Sequence, residues 1–292
     1  MCYDVYTGLL KAFPLRKEEN TQIRFSYACS DAGFEKLKKA YPIETVAGTG
    51  TDFEKAVNML VWVSKHIYHK GDFNLDIPYN ALDLLEYAYD KDFEHGLSCV
   101  ALATVLSGCL LAIGLKARRV LIQPCSPYDG DSHAVTQVFI SEMNKWVMLD
   151  PTYCAYLTNE RKEPLSLVEL RACLANQKPV FFSAEAEYNG MKWTEEEEKA
   201  GIEYFAKNLF YVQTTENSAF LDTDATGCAA GNRVITLSPD GYDVRQNRLS
   251  NIEYRIKQYG SFRQAEKWMD RVRNEPCVYC SAQDFERVPV LE

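Results

Sequence analysis

The chain has 292 residues, 47% of them hydrophobic, with 32 basic and 41 acidic residues for a net charge of −9. That length supports a substantial buried core in one domain or two, and the acidic balance argues against a nucleic-acid backbone or an anionic membrane as the main partner. No stretch approaches the roughly 18 apolar residues of a membrane span; the greasiest run, Val100–Leu115, contains Thr104, Ser107 and two glycines and reads as a buried core helix.

The N-terminus lacks the basic start and long apolar run of a signal peptide. The ten scattered cysteines are therefore expected to be reduced thiols in a cytoplasmic protein. Ile23, Phe25 and Tyr27 alternate with the period of a half-buried strand, and a short helix is expected over Asp31–Ala40. Thr51-x-x-Glu54 is a capping box. It opens an amphipathic helix to about Tyr68, with Phe53, Val57, Leu60, Val61 and Ser64 near one stripe. Asn80 is placed to cap the next helix. After Gly96 a helix is expected from about Leu97 to Ile113, stopped at Gly114. Strand-like runs follow at Lys116–Pro124, His133–Ser141 and Lys145–Asp150.

Ser166-x-x-Glu169 and Thr194-x-x-Glu197 cap two further helices, and the carboxylates of Glu195–Glu198 read as a solvated helix start. Short strand candidates, Leu209–Thr215, Ser218–Asp222 and Arg233–Pro239, lie between turn residues. A final helix over Ser261–Arg273 has Ser261 as its cap. Asp222–Gly227 begins like a calcium loop but lacks the terminal glutamate. Cys277 and Cys280 have CxxC spacing, yet no second pair or nearby histidine completes the roughly four ligands of a zinc site. No metal and no cofactor are expected. Helices first and antiparallel strands later give an α+β layout. A boundary is expected near residue 165, with 1–165 as the core and 166–292 as a C-terminal α/β elaboration packed on it, or the whole as one unit.

Three residues could share one chemistry. Cys99 falls in the first turn of an expected helix, where unpaired N–H groups and the positive end of the macrodipole favour a thiolate. Gly96 lets the preceding loop turn tightly. His133 and Asp150 lie on two strands joined by a turn within Ser141–Lys145. A turn centred on Glu142 and Met143 puts Asp150 opposite Val135 and His133 one same-face step away, within reach of a diagonal contact. A turn one residue later separates them. An imidazole takes a thiol proton and returns it to a leaving group, and a carboxylate fixes that imidazole's tautomer and orientation. Taken singly, each has an ordinary alternative: a buried small cysteine, a polar strand end, a turn-starting Asp before Pro.

The segments GLSCVALATVLSGCLLAIGLKARRV, SHAVTQVFI and KWVMLDPTY together resemble the core of the transglutaminase-like superfamily. The resemblance covers about residues 52–155 and implies a papain-like fold, its nucleophile helix packed on an antiparallel sheet. It implies Cys99 as nucleophile, His133 as general base and Asp150 as the orienting carboxylate, with Trp146, Pro151 and Thr152 in the usual flanking places. Upstream, Trp62 and Tyr68 fit the preceding helix. The chain departs from the family pattern at Leu97, where glycine is usual two before the cysteine, at Val135, where many bacterial members have Trp, and at Gln137, where many have Glu. The backbone N–H of Cys99 is one oxyanion donor candidate, and a second could come from Trp62, Asn74 or Asn80.

The implied chemistry is attack of Cys99 on a peptide or glutamine-type amide to give a thioester, resolved by water in a peptidase or amidase and by an amine in a transglutaminase. Hydrolysis is the first expectation and amine transfer the second. A binding or scaffold protein that kept the fold is the third. The expected partner is a peptide or protein amide substrate, with neither nucleic acid nor membrane, and oligomeric state is left open.

Overall fold

The computed structural model describes residues 2–71, 77–221, 231–260 and 265–289. The first helix, α1 (Tyr3–Ala12), has no side-chain cap and was not expected from the sequence; its buried Thr7 and Leu10 pack toward elements far along the chain. The alternating run that follows forms only a two-residue strand, β1 (Ser26–Tyr27). It is an edge segment whose backbone finds few partners: Ser26 and Ala28 donate to the carbonyls of Glu216 and Ser218, and Arg24 N–H to the Glu216 carboxylate.

Next come α2 (Ala32–Ala40), capped by Asp31, then α3 (Ile43–Ala47) and α4 (Asp52–His66). The Thr51–Glu54 capping box forms with both reciprocal bonds. The buried face of α4 is Ala56, Met59, Leu60, Trp62 and Val63. It is therefore rotated from the expected stripe, because the helix is pressed on by α3 as well as by the core. Asn80 caps α5 (Ala81–Ala88), and α6 (Cys99–Ala112) is buried from Ala101 to its end.

The strands β2 (Ala117–Gln123), β3 (His133–Ile140) and β4 (Lys145–Leu149) form an antiparallel meander. After them lie β5 (Leu157–Thr158), α7 (Leu167–Ala175), β6 (Phe181–Phe182), β7 (Glu187–Tyr188), β8 (Met191–Lys192) and α8 (Glu195–Asn208). Both expected capping boxes, at Ser166 and Thr194, are made. The chain closes with β9 (Tyr211–Thr215), β10 (Asn217–Ser218), β11 (Val234–Leu237), α9 (Val244–Tyr259), α10 (Ala265–Asn274), β12 (Val278–Tyr279) and α11 (Ala282–Phe285). Within the described part of the candidate strand Ser218–Asp222, residues 218–221, only Ser218 is extended; Asp222 and the expected cap Ser261 lie outside the described residues. The unexpected α9 has polar residues around most of its surface.

The architecture is α+β. The central sheet runs β12-β11-β9-β2-β3-β4, so strands from both sides of residue 165 hydrogen-bond to one another. One face, through Ala117, Val138, Ile140, Val147 and Leu149, packs on α2 to α6; the other, through Val120, Ile122, Val135 and Met148, packs on Leu10 and on α7 and α8. With both faces covered, every residue of β3 is buried.

Arg118 ties remote segments to this sheet. It is fully buried, its Nε and Nη2 donate to Gln137 Oε1 at 3.3 and 3.0 Å, and Nη2 also donates to the Phe285 carbonyl. Its guanidinium lies 4.8 Å from the Phe25 ring centre and 4.2 Å from those of Trp146 and Phe285. Charged hydrogen bonds contribute ~1.5–3 kcal/mol and a desolvated cation–π contact about 2 kcal/mol. Arg118→Ala is therefore expected to lower stability by on the order of 3 kcal/mol, read as a lower urea midpoint at unchanged m. A midpoint that does not move would show that Arg118 is not the tie.

Candidate active site

Cys99 is the first residue of α6, and the N-cap Ser98 hydroxyl accepts from Ala101 N–H at 3.4 Å. While the helix beyond it is buried, Cys99 itself is half-buried. Its sulfur thus lies at the rim of the core, at the end of the helix where free N–H groups favour an anion.

The chain reaches this helix through a short parallel pairing. Leu97 N–H donates to the Tyr68 carbonyl at 2.9 Å and Lys70 N–H to the Leu97 carbonyl at 2.8 Å, which sets His69 beside Leu97. Gly96 has an ordinary φ of −62°, so the position does not use the freedom expected of it. Glycine is needed there for space: a Cβ would come within 2.7 Å of Lys70 Cβ and 3.0 Å of the Tyr68 carbonyl oxygen. Leu97, in the family's usual glycine position, buries its side chain in the core while its backbone makes this pairing.

His133 opens β3 and is 3% exposed, with Nε2 2.7 Å from Asp150 Oδ2. The register explains the contact. Thr136 pairs with Leu149 and Ile140 with Lys145, so the hairpin closes between Glu142 and Met143 and Asp150 falls opposite Val135. Asn144, in the left-handed region at φ 49°, completes the turn. Asp150 is fully buried. Its Oδ1 accepts from the N–H of Thr152 at 2.9 Å and of Tyr153 at 3.4 Å, and its backbone exchanges bonds of 2.7 and 3.0 Å with Ala155. The Asp-Pro-Thr-Tyr turn thereby holds one carboxylate oxygen in place and leaves the other for the imidazole.

With Nε2 committed to Asp150, Nδ1 is the nitrogen of His133 left for the Cys99 thiol, to which the ring hydrogen-bonds. Burial pushes that thiol up, but hydrogen bonds from His133 and His69, and the charge of His133, outweigh burial and bring it down to about 6. Burial pulls His133 down, whereas the charge and hydrogen bond of Asp150, joined by Cys99, hold it up at about 10. Between those two values the stable form is a thiolate beside an imidazolium, a nucleophile and an acid in contact.

His69 is the residue the sequence reading passed over. Its ring Nδ1 lies 3.0 Å from Tyr188 Oη. Its backbone N–H donates to Asn189 Oδ1 at 2.7 Å, and Asn189 Nδ2 donates to its carbonyl at 3.1 Å. Asn189 and Gly190, at φ 49° and 82°, form the two-residue turn between β7 and β8. An Asn-Gly pair is the sequence signal for such a hairpin, but what the hairpin grips is 120 residues away. The same region supplies an aromatic wall: Tyr153 stacks on His133 at 5.4 Å and packs on Tyr188 and Trp193, and Tyr204 meets the His133 ring edge-on at 5.5 Å.

Of the expected second oxyanion donors, Trp62 and Asn80 lie among other partners. Trp62 is packed in the α4 core against Tyr41, His66 and Tyr89. Asn80 spends its side chain on α5, with Oδ1 accepting from Asp83 N–H at 3.1 Å and Nδ2 donating to the Asp83 carboxylate. The third candidate, Asn74, lies outside the described residues. Elsewhere, Cys280 is fully buried, which pushes its thiol up to about 12, and Cys277 is half-buried. Among the described residues no three metal-ligating side chains gather. Asp222–Gly227 lies outside them.

The thiol of Cys99 is expected to titrate near 6 when iodoacetamide labelling is followed across pH by mass spectrometry. In His133→Ala the inflection should move up toward the ordinary thiol value of about 8.5. The inflection is the quantity to read, because a more basic thiolate is also a better nucleophile and offsets part of any change in rate. An unchanged inflection would sever the link between the two residues.

Residues 39–151 match the family model of the Transglutaminase-like superfamily. A solved structure described as "a Putative Cysteine Protease from Cytophaga hutchinsonii" is 16% identical over 58% of this chain, with a TM-score of 0.32. The matched part is 54% of that protein, so the chain spans about half its length. No curated protein matches the chain. The family-model match supports a cysteine-dependent enzyme in general terms. Over residues 39–151, a segment that ends one residue beyond Asp150, the chain is thus similar to the transglutaminase-like superfamily.

Proposed function

We propose that this chain is a cysteine-dependent acyl-transfer enzyme acting on peptide or glutamine-type amides, with water as the preferred acceptor. The observation that carries this reading is the buried 2.7 Å His133–Asp150 contact, with the same imidazole hydrogen-bonded to a half-buried Cys99 at a helix N-terminus.

The steps follow from the groups present. The Cys99 thiolate attacks the amide carbon, a C–S bond forms, and the carbonyl π pair moves to oxygen. His133 gives its Nδ1 proton to the amide nitrogen as the C–N bond breaks, leaving a thioester and a free amine. Water then adds to the thioester, giving its proton to Nδ1. Collapse breaks the C–S bond, and thiolate and imidazolium are restored. Asp150 stays ionised throughout and keeps the ring oriented. Attack by a primary amine in place of water would give transfer.

Nothing in this cycle needs a cofactor. A peptide or protein amide is the partner proposed.

The test is release of ammonia or amine from peptide amides, with and without added primary amine. Hydrolysis is expected in the wild type, with Cys99→Ala inactive and His133→Ala lower by about 10³-fold or more. Acceleration by the amine, with the amine found in the product, would replace the hydrolase by a transglutaminase. Absence of any turnover, together with an ordinary thiol titration at Cys99, would leave a scaffold that kept the fold.

A further inference from the structure

We infer that His69 is a catalytic residue, the side-chain donor of the oxyanion hole, and that the Tyr188-Asn189 hairpin holds it there. The inference rests on the acyl-transfer reading above and names a group that the reading lacks.

The argument begins with which atoms of His69 are committed. Its Nδ1 faces the Tyr188 hydroxyl at 3.0 Å, and the ring hydrogen-bonds the Cys99 sulfur, so Nε2 is the atom that faces the sulfur. A thiolate has no proton to give. The group facing it must therefore donate, which places a proton on Nε2. Nδ1 can then accept, and the Tyr188 O–H donates to it. Burial raises Tyr188, so its hydroxyl stays protonated and able to do so. The tautomer of His69 is thus fixed by Tyr188 from the side away from sulfur, much as that of His133 is fixed by Asp150.

The backbone of His69 is fixed independently. Asn189 clamps its N–H and C=O at 2.7 and 3.1 Å, and the flanking Tyr68 and Lys70 pair with Leu97, two residues before the nucleophile. His69 is thus held on both main-chain groups and on the ring. Such restraint is what a preorganised donor needs, because its contribution depends on not having to reorient during the reaction. It is also what a spare general base would not need, since Asp150 and His133 already form a complete acid–base pair.

As the carbonyl π pair moves to oxygen, negative charge leaves the sulfur and builds on an atom bonded to the same carbon. An N–H aimed at the sulfur in the resting state is near that atom afterwards. Cys99 N–H, at the first helical position and without an acceptor inside the helix, is the second donor. No proton is transferred by His69. It donates a hydrogen bond to the thiolate, then to the oxyanion, and again to the thiolate when the tetrahedral adduct collapses.

The test compares two reagents on the full chain. A peptide aldehyde forms a hemithioacetal with Cys99 and draws on the oxyanion donors. Iodoacetamide is displaced at carbon and draws only on the thiolate. In His69→Ala, aldehyde affinity and kcat on a peptidyl coumarin amide are expected to fall by about 10²-fold. Alkylation of Cys99 above the ordinary thiol range should stay within about threefold. His69→Gln, whose amide keeps a donor, should recover part of the loss, and Tyr188→Phe should show a smaller one. Unchanged aldehyde affinity in His69→Ala overturns the inference, and so does an equal loss with both reagents, which marks a structural role. A wild type in which the aldehyde fails to bind Cys99 overturns the acyl-transfer reading itself, and the inference with it.

Discussion

The pairing of Thr136 with Leu149 governs the whole site. A sheet register is an all-or-none variable: slipping it by one residue turns every side chain of the strand to the opposite face. In this register His133 and Asp150 share a face and meet at the ends of their strands. The hydrophobic pattern enforces it, because Val138, Ile140, Val147 and Leu149 must face α6 while Val135 and Met148 must face the opposite layer. Thr136 adds a direct tie to the helix, donating to the Ala103 carbonyl at 3.1 Å. The same core packing that stabilises the sheet thus sets the distance from the imidazole to the start of α6.

Around that frame the electrostatics are economical in groups. A half-buried thiolate and a fully buried carboxylate flank one imidazolium, and each anion receives hydrogen bonds beyond the charge pair. Asp150 takes two from its own turn, and Cys99 takes one from His69. Buried charges left without such partners would neutralise by shifting their protons. The ion pair persists because every acceptor is met, with the helix dipole acting in the same direction on the sulfur.

What could be read from residues alone was what depends on residues close in sequence. Capping boxes at Thr51, Ser166 and Thr194 close within four residues and formed as expected. The hairpin was legible down to two possible turns. Choosing between them required the left-handed Asn144, which a four-residue loop does not announce. Harder features depend on distant partners. The alternation at Ile23–Tyr27 promised a strand, yet strand length is set by the neighbour available, and Asn217–Ser218 offers two residues. Trp62 and Asn80 were credible donors by type, but the Trp62 ring is packed in the aromatic cluster of α4 and the Asn80 amide sits on the cap of α5, placements set by partners distant from the local pattern. His69 carried no local mark at all. Its neighbours Tyr188 and Asn189 acquire meaning only once the hairpin lies against the loop after α4.

That hairpin has a consequence for how the molecule comes into being. Contacts so far apart in sequence are slow to form, since chain entropy must be lost before they give any return. During synthesis the sulfur and its nearest base emerge well before Tyr188 and Asn189, and the sheet still awaits β9 and β12. A young chain therefore carries His69 without its Tyr188 and Asn189 partners, and the surroundings of Cys99 are complete only when the hairpin and the strands beyond it have docked.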